Sequence, residues 1–211
     1  MILMKRNVIF CFLACSTLIV SAQKDPAAKQ VLDQLGEKVK KSKGIQVSLQ
    51  LVSLNNKGKN MGAKQVNLKM KGEKYLLQEG KVEILCDGTS IYNFDGVNSI
   101  SKSAVAESDQ TLSPQKLLAG NYDRDFNYKL ITQNGKDATI ELAPIDKRKN
   151  FQKVTLVIDK IKSALSSALI LDKSNNSTQV KVVSINFGAL LSDNLFIFNK
   201  SRYPKSVEIF D

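Results

Sequence analysis

The chain has 211 residues, a formal net charge of +11, three cysteines, and neither histidine nor tryptophan. Lacking histidine, it has no base poised near neutral pH, no Ser-His or Cys-His nucleophile and no imidazole for a transition-metal site. These absences argue against an enzyme and against a cofactor or metal, and for a protein that works by binding. The basic excess is scattered over strands and turns, so it reads as a solvated surface rather than a nucleic-acid site, with an acidic partner or membrane surface as the other reading.

Lys5 and Arg6 stand before an almost unbroken apolar run from Val8 to Val20, and Val20-Ser21-Ala22 supplies small residues before Gln23. This pattern predicts a cleaved export signal over 1–22 and a single domain over 23–211, placed in the periplasm. The apolar run is shorter than the roughly 20 residues that a spanning helix needs. Phe12-Leu13-Ala14-Cys15 resembles a lipoprotein cleavage site, but the apolar run continues beyond Cys15, which favours the ordinary signal. Without Lys5 and Arg6 the count is 29 basic against 20 acidic residues. Only Cys86 then remains, inside the apolar run Val82 to Cys86, where a buried small hydrophobe is expected and no intramolecular disulfide can form.

Asp25-Pro26 predicts a helix start, with the aspartate as N-cap and proline at the first position, and Gly44 marks its end. Ala28, Val31, Leu32, Leu35 and Val39 recur at three- and four-residue steps and form one apolar stripe. From Ile45 the period changes to two. Ile45, Val47, Leu49 and Leu51 share one face, as do Val66, Leu68 and Met70 on the next strand. Strands follow at Tyr75 to Leu77, Val82 to Cys86 and Ile91 to Phe94, with Asp87-Gly88 as a hairpin turn. Ser99 to Gln110 is polar and reads as a mobile loop. Ser113 to Gly120 reads as a short helix with N-cap, first-position proline and terminating glycine. Asp123 and Asp125 read as solvated acids beside a turn. Further strands are predicted at Phe126 to Gln133, Ala138 to Ala143, Phe151 to Ile158, Ala164 to Asp172, Thr178 to Phe187 and near Phe196, with Val207 to Phe210 closing the chain.

About ten antiparallel strands in one sheet must curl to bury an inner face, and the two helices are the available cover. The predicted class is mainly β (α+β): a single curled antiparallel sheet with a helical lid and space for a ligand between the layers.

Particular runs also carry a family resemblance. Leu68-Lys69-Met70-Lys71-Gly72-Glu73-Lys74-Tyr75, Ile84-Leu85-Cys86-Asp87-Gly88-Thr89-Ser90-Ile91-Tyr92-Asn93-Phe94, Leu112-Ser113-Pro114-Gln115-Lys116-Leu117-Leu118 and Phe151-Gln152-Lys153-Val154-Thr155-Leu156, in that order after the helix Asp25 to Leu35, resemble the LolA family of periplasmic lipoprotein carriers. The resemblance implies an unclosed half-barrel whose lidded apolar cavity takes the acyl chains of a lipoprotein from an inner-membrane ABC transporter and passes them to an outer-membrane acceptor. It implies a monomeric carrier of acylated lipoproteins. A related half-barrel sensor that binds lipid, or a lipidated outer-membrane acceptor, are the alternatives.

The candidate cavity wall is Leu49, Leu51, Leu68, Tyr75, Leu77, Ile84, Tyr92 and Phe94, and the candidate lid side chains are Leu32, Leu35, Leu117 and Leu118. In that family an Arg-Pro pair usually precedes the third strand and the arginine latches the lid. Here the pair is Lys71-Gly72, so Lys71 is the candidate latch, without the planar fork of arginine.

Overall fold

The structure, a computed structural model, describes residues 24–106, 112–119 and 122–211. The predicted signal, with Cys11 and Cys15, and the last residues of the predicted Ser99 to Gln110 loop lie outside them. Helix α1 spans Pro26–Lys41. Six strands follow: β1 (Ile45–Leu54), β2 (Asn60–Lys71), β3 (Lys74–Glu79), β4 (Val82–Cys86), β5 (Ser90–Phe94) and β6 (Ser99–Ala104). After the short helices α2 (Pro114–Ala119) and α3 (Tyr122–Asp125) come β7 (Phe126–Gln133), β8 (Asp137–Pro144), β9 (Phe151–Asp159), β10 (Ala164–Asp172) and β11 (Ser177–Asn186). An arm with two 3-10 turns, Asp193–Phe196 and Lys200–Arg202, leads to β12 (Glu208–Phe210).

All twelve strands form one unclosed sheet in the order β12-β6-β5-β4-β3-β2-β1-β11-β10-β9-β8-β7. The chain is mainly β, as expected, but three details differ. Ser99–Ala104 is a strand rather than loop. It is serine-rich at the periphery, and Ile100 alone is fully buried, so little alternation marks it. Phe196 ends a 3-10 turn rather than sitting in a strand, because the Ser192 hydroxyl caps the turn by accepting the Asn194 N–H. The sheet is not wholly antiparallel, since β12 pairs in parallel with β6.

The inner face carries the main core. Helix α1 lies against it, and Ala28, Val31, Leu32 and Leu35 are buried. The start of α1 is fixed by Asp25, whose carboxylate caps Ala27 N–H and also accepts the Leu130 N–H at 3.0 Å from β7. Those hydrogen bonds hold the Asp25 carboxyl below its ordinary value, the Leu130 amide most strongly. The far end of α1 stops at Ser42 rather than Gly44. Gly44 instead allows a close approach: a β-carbon there would sit 2.4 Å from the Ala189 carbonyl oxygen, where the chain leaving β11 pairs beside β1.

The outer face is also covered along β3 to β6, by the arm. Leu76 and Leu85 bury Phe196, while Phe94 and Ile100 pack with Val207. Those strands are therefore covered on both faces.

Candidate functional site

Strand register sets which side chains share the inner face. One row runs across paired strands from Val47 to Leu68, Leu77, Ile84, Asn93 and Ser101. Its character changes along the way: Val47 and Leu68 are sealed at 0 % exposure, Leu77 and Ile84 are half-buried, and Asn93 and Ser101 are polar. The parallel row Ile45, Met70, Tyr75, Cys86 and Ile91 is buried throughout. Burial pushes the Tyr75 phenol up to about 12 and raises the Cys86 thiol, which suits packing and not reactivity.

Leu49, Leu51, Leu68, Tyr75, Leu77 and Ile84 all lie on this inner face. Leu32 and Leu35 from α1 and Leu117 and Leu118 from α2 are buried in the same cluster. Tyr92 and Phe94 lie elsewhere. In β4 and β5 the register pairs Ile84 with Asn93 and Leu85 with Tyr92, which turns both aromatic rings to the outer face. There Tyr92 stacks on Phe198 at 4.2 Å and Phe94 meets Tyr203 edge-on. The sequence expectation was off by one residue in β5, where Ile91 is the inward hydrophobe, because Tyr92, Asn93 and Phe94 alternate but their apolar face packs under the outer arm instead of toward the inner core.

Lys71 is not a lid latch either. Its Nζ donates to the Leu191 carbonyl at 3.3 Å and lies 3.1 Å from Asp193, so it holds the outer arm to the β2 end of the sheet. The polar clasp of the lid is at the other end of α1. Lys29 Nζ sits 2.7 Å from Asp123 of α3 and 3.0 Å from Asp33, the Tyr128 hydroxyl donates to Asp123, and Lys24 Nζ donates to the Asp123 carbonyl. Tyr122, beside it, donates from its hydroxyl to the Leu117 carbonyl at 2.8 Å and so ties α3 to α2. Asp123 is thus an acceptor within the lid that still keeps its carboxylate partly in water, as the sequence reading expects. Nothing in the sequence joined residues 29 and 123, which are far apart in the chain and carry no shared motif.

The hydrogen bond from Lys29, and then that from Tyr128, hold the Asp123 carboxyl below its ordinary 3.8. With the folded-state pKa depressed, the clasp is at full strength above that ordinary value and is lost as pH falls through the depressed one. Lys29 is raised above its ordinary 10.5, chiefly by Asp123, so its contribution is complete below that value and is lost only in strong alkali. The protection of the Tyr122–Asp125 amides, taken relative to the intrinsic exchange rate at each pH, is therefore expected to fall severalfold below about pH 4, and Asp123→Asn should reproduce that loosening at neutral pH. An Asn variant with parental exchange at both pH values would remove the clasp from the lid.

Beside the clasp a cleft of about 650 Å³ opens between α1 and the ends of β1 and β2, with Leu32, Val39, Ile45, Met70, Tyr122 and Tyr128 among its lining residues. Its rim is polar, with Asp33, Glu37, Lys40 and Glu73. The site is an apolar inner face under a two-helix cover, reached by a charged rim. Among the described residues no three His, Cys, Asp or Glu side chains gather to hold a metal.

Comparison with solved structures finds similar chains. An uncharacterized conserved protein from Thermus thermophilus superposes with a TM-score of 0.58 at 13% identity, covering 87% of this chain and 98% of that one. A LolA superfamily protein from Nitrosomonas europaea gives 0.48 at 14% identity, covering 81% and 97%. Lipoprotein LppX from Mycobacterium tuberculosis gives 0.45 at 17% identity, covering 80% and 100%. A search of curated protein sequences found no match. The family described as outer membrane lipoprotein carrier protein LolA matches residues 80–199, more than half of the sequence. With that match and a single unclosed sheet under a helical cover, the chain belongs to the LolA family.

Proposed function

We propose that this chain is a periplasmic carrier that shields the acyl chains of lipoproteins against its inner face while they cross between membranes. One observation carries the reading: the apolar inner row passes from sealed under the lid, at Val47 and Leu68, to half-covered at Leu77 and Ile84. A plain core has no reason to leave aliphatic wall half-wetted inside a concave sheet, whereas an acyl chain laid along that row gains about 0.8 kcal/mol for each methylene it buries. The family resemblance supports an inner-membrane ABC transporter as donor and an outer-membrane acceptor as recipient, and the export pattern of segment 1–22 supports a place between them.

Titration with a fluorescent fatty-acyl probe tests this. Leu77→Asp and Ile84→Asp put a charge where the chain would lie and are expected to weaken binding at least tenfold, since an unpaired carboxylate in an apolar contact costs more than about 1.4 kcal/mol. Both sites are only partly buried, and circular dichroism checks that each variant keeps the fold before binding is compared. Val183→Asp, at an exposed position of β11 that faces away from the inner cluster, serves as control and should bind as the parent does. If the parent takes up no probe, or if the three variants behave alike, the carrier reading fails.

A further inference from the structure

One end of the half-barrel combines features that the acyl-binding face does not use. Leu190 and Ile161 are 97% and 77% exposed, on the loop after β11 and on the β9–β10 turn. Both segments converge on the C-terminal end of α1. Lys160, Ser163, Phe187 and Leu190 line one open groove with Lys38 and Lys43. Lys38 closes the assembly by donating to the Lys162 carbonyl and lying 4.7 Å from the centre of the Phe187 ring. The Lys160 amide donates to the Lys136 carbonyl at 2.8 Å, which brings the β7–β8 turn alongside.

This end is strongly basic once its acids are counted. Lys41, Lys43 and Lys160 line the groove, Lys162 follows Ile161 on the same turn, Lys136 lies on the adjoining turn and Lys40 borders the neighbouring cleft, all at least partly exposed. Asp33 and Glu37 line the same groove, but Asp33 is paired with Lys29 and Glu37 with Lys41. Asp159 is buried and accepts the Lys162 amide, and its cross-strand partner Asp137 is a partly exposed acid beside Lys136, which leaves the lysines in excess. Among the described residues, no ion pair takes up Lys40, Lys43, Lys160 or Lys162. A helix C-terminus favours lysines by itself, which accounts for Lys40 and Lys41. It accounts neither for Lys160 and Lys162 on a β-turn nor for two aliphatic side chains held in water beside them.

We infer that this end of the molecule docks on the surface of an anionic phospholipid bilayer, with Leu190 and Ile161 entering the interface and the surrounding lysines meeting lipid phosphates. Charge complementarity selects that occupant: paired apolar tips within a lysine ring match an interface whose outer layer is anionic and whose inner layer is apolar. Lys40 and Ser42 also border the cleft beside α1, so docking would set the entrance to the inner face against the lipid. The inference rests on the surface alone and stands or falls separately from acyl binding.

The core is built from residues 28 onward, so the chain from residue 24 is used, which keeps the apolar segment 8–20 out of the assay. Co-sedimentation with vesicles of phosphatidylcholine alone and of phosphatidylcholine mixed with phosphatidylglycerol is measured at low and at physiological salt. Binding is expected to the mixed vesicles alone and to weaken as salt rises. Lys43→Gln with Lys160→Gln and Lys162→Gln should lower partitioning on the order of a hundredfold, about fivefold per lysine. Ile161→Asp with Leu190→Asp should lower it at least tenfold. Acyl-probe binding by the same variants should match the parent. Equal partitioning into both vesicle types, no binding to either, or parental binding by the aspartate variant would each overturn the inference. Equal competition by soluble polyglutamate together with indifference to the aspartate changes would overturn it in favour of an acidic protein partner.

Discussion

Phe196→Ala is expected to destabilise the protein by about 3–5 kcal/mol, although it lies outside the sheet and outside the inner core. The ring is 0% exposed and rests on Leu76 and Leu85, themselves 2% and 0% exposed, with Leu191, Leu195 and Phe198 packed around it. Its removal leaves a cavity that a short, capped turn cannot collapse to fill. The consequences then run along the arm. Phe198 is held by its stack on Tyr92, and Tyr203 by donating its hydroxyl to Glu83 at 2.6 Å. Glu83 is buried and also meets Arg202 and Gln78, so loosening the arm withdraws two of the partners that satisfy a buried carboxylate. Denaturant unfolding provides the measurement. If the arm were only a surface strap, the loss would stay below about 1 kcal/mol, as for ordinary exposed substitutions.

That arm marks where sequence reading worked and where it stopped. The amphipathic stripe Ala28, Val31, Leu32 and Leu35 and the alternation of β1 and β2 identify their buried faces, because each element meets water on one side and core on the other. Strands β3 to β5 are covered on both sides, so Tyr75, Leu76 and Leu77 read as a continuous apolar run and no period assigns a face. Tyr92 and Phe94 do alternate with Asn93, but the cover that buries them is the arm, so their period points to the outer face. Alternation marks which side chains share a face, whereas which cover that face meets is taken from the neighbours, here from the pairing of Leu85 with Tyr92. Lys71 shows a second limit. Its place before the β2–β3 turn is plain in the sequence, but its partners Leu191 and Asp193 are set by how the chain returns across the outer face. The Lys29 and Asp123 clasp has the same origin, a pairing made by topology alone.

Leu35→Ala should separate a lid from an ordinary core. Leu35 is 1% exposed in the inner cluster, and its truncation is expected to lower stability in the empty protein by about 2–5 kcal/mol, and the melting temperature by roughly 5–15 °C. That loss has two parts: the transfer free energy of the deleted carbons and the cavity that they leave. In a carrier that opens to take an acyl chain, cargo replaces the helix face against the sheet, so the second part is absent from the loaded state. The variant then destabilises the closed empty state more than the loaded one, and apparent affinity rises by the difference. If the cavity part is about 1.4 kcal/mol, the acyl probe binds about tenfold more tightly. Thermal unfolding and probe titration on the same sample give both numbers. A side chain that merely completes a permanent core predicts the opposite, with affinity falling alongside stability. Lower melting temperature with stronger binding is the outcome expected where Leu35 helps hold shut a space that the cargo must enter.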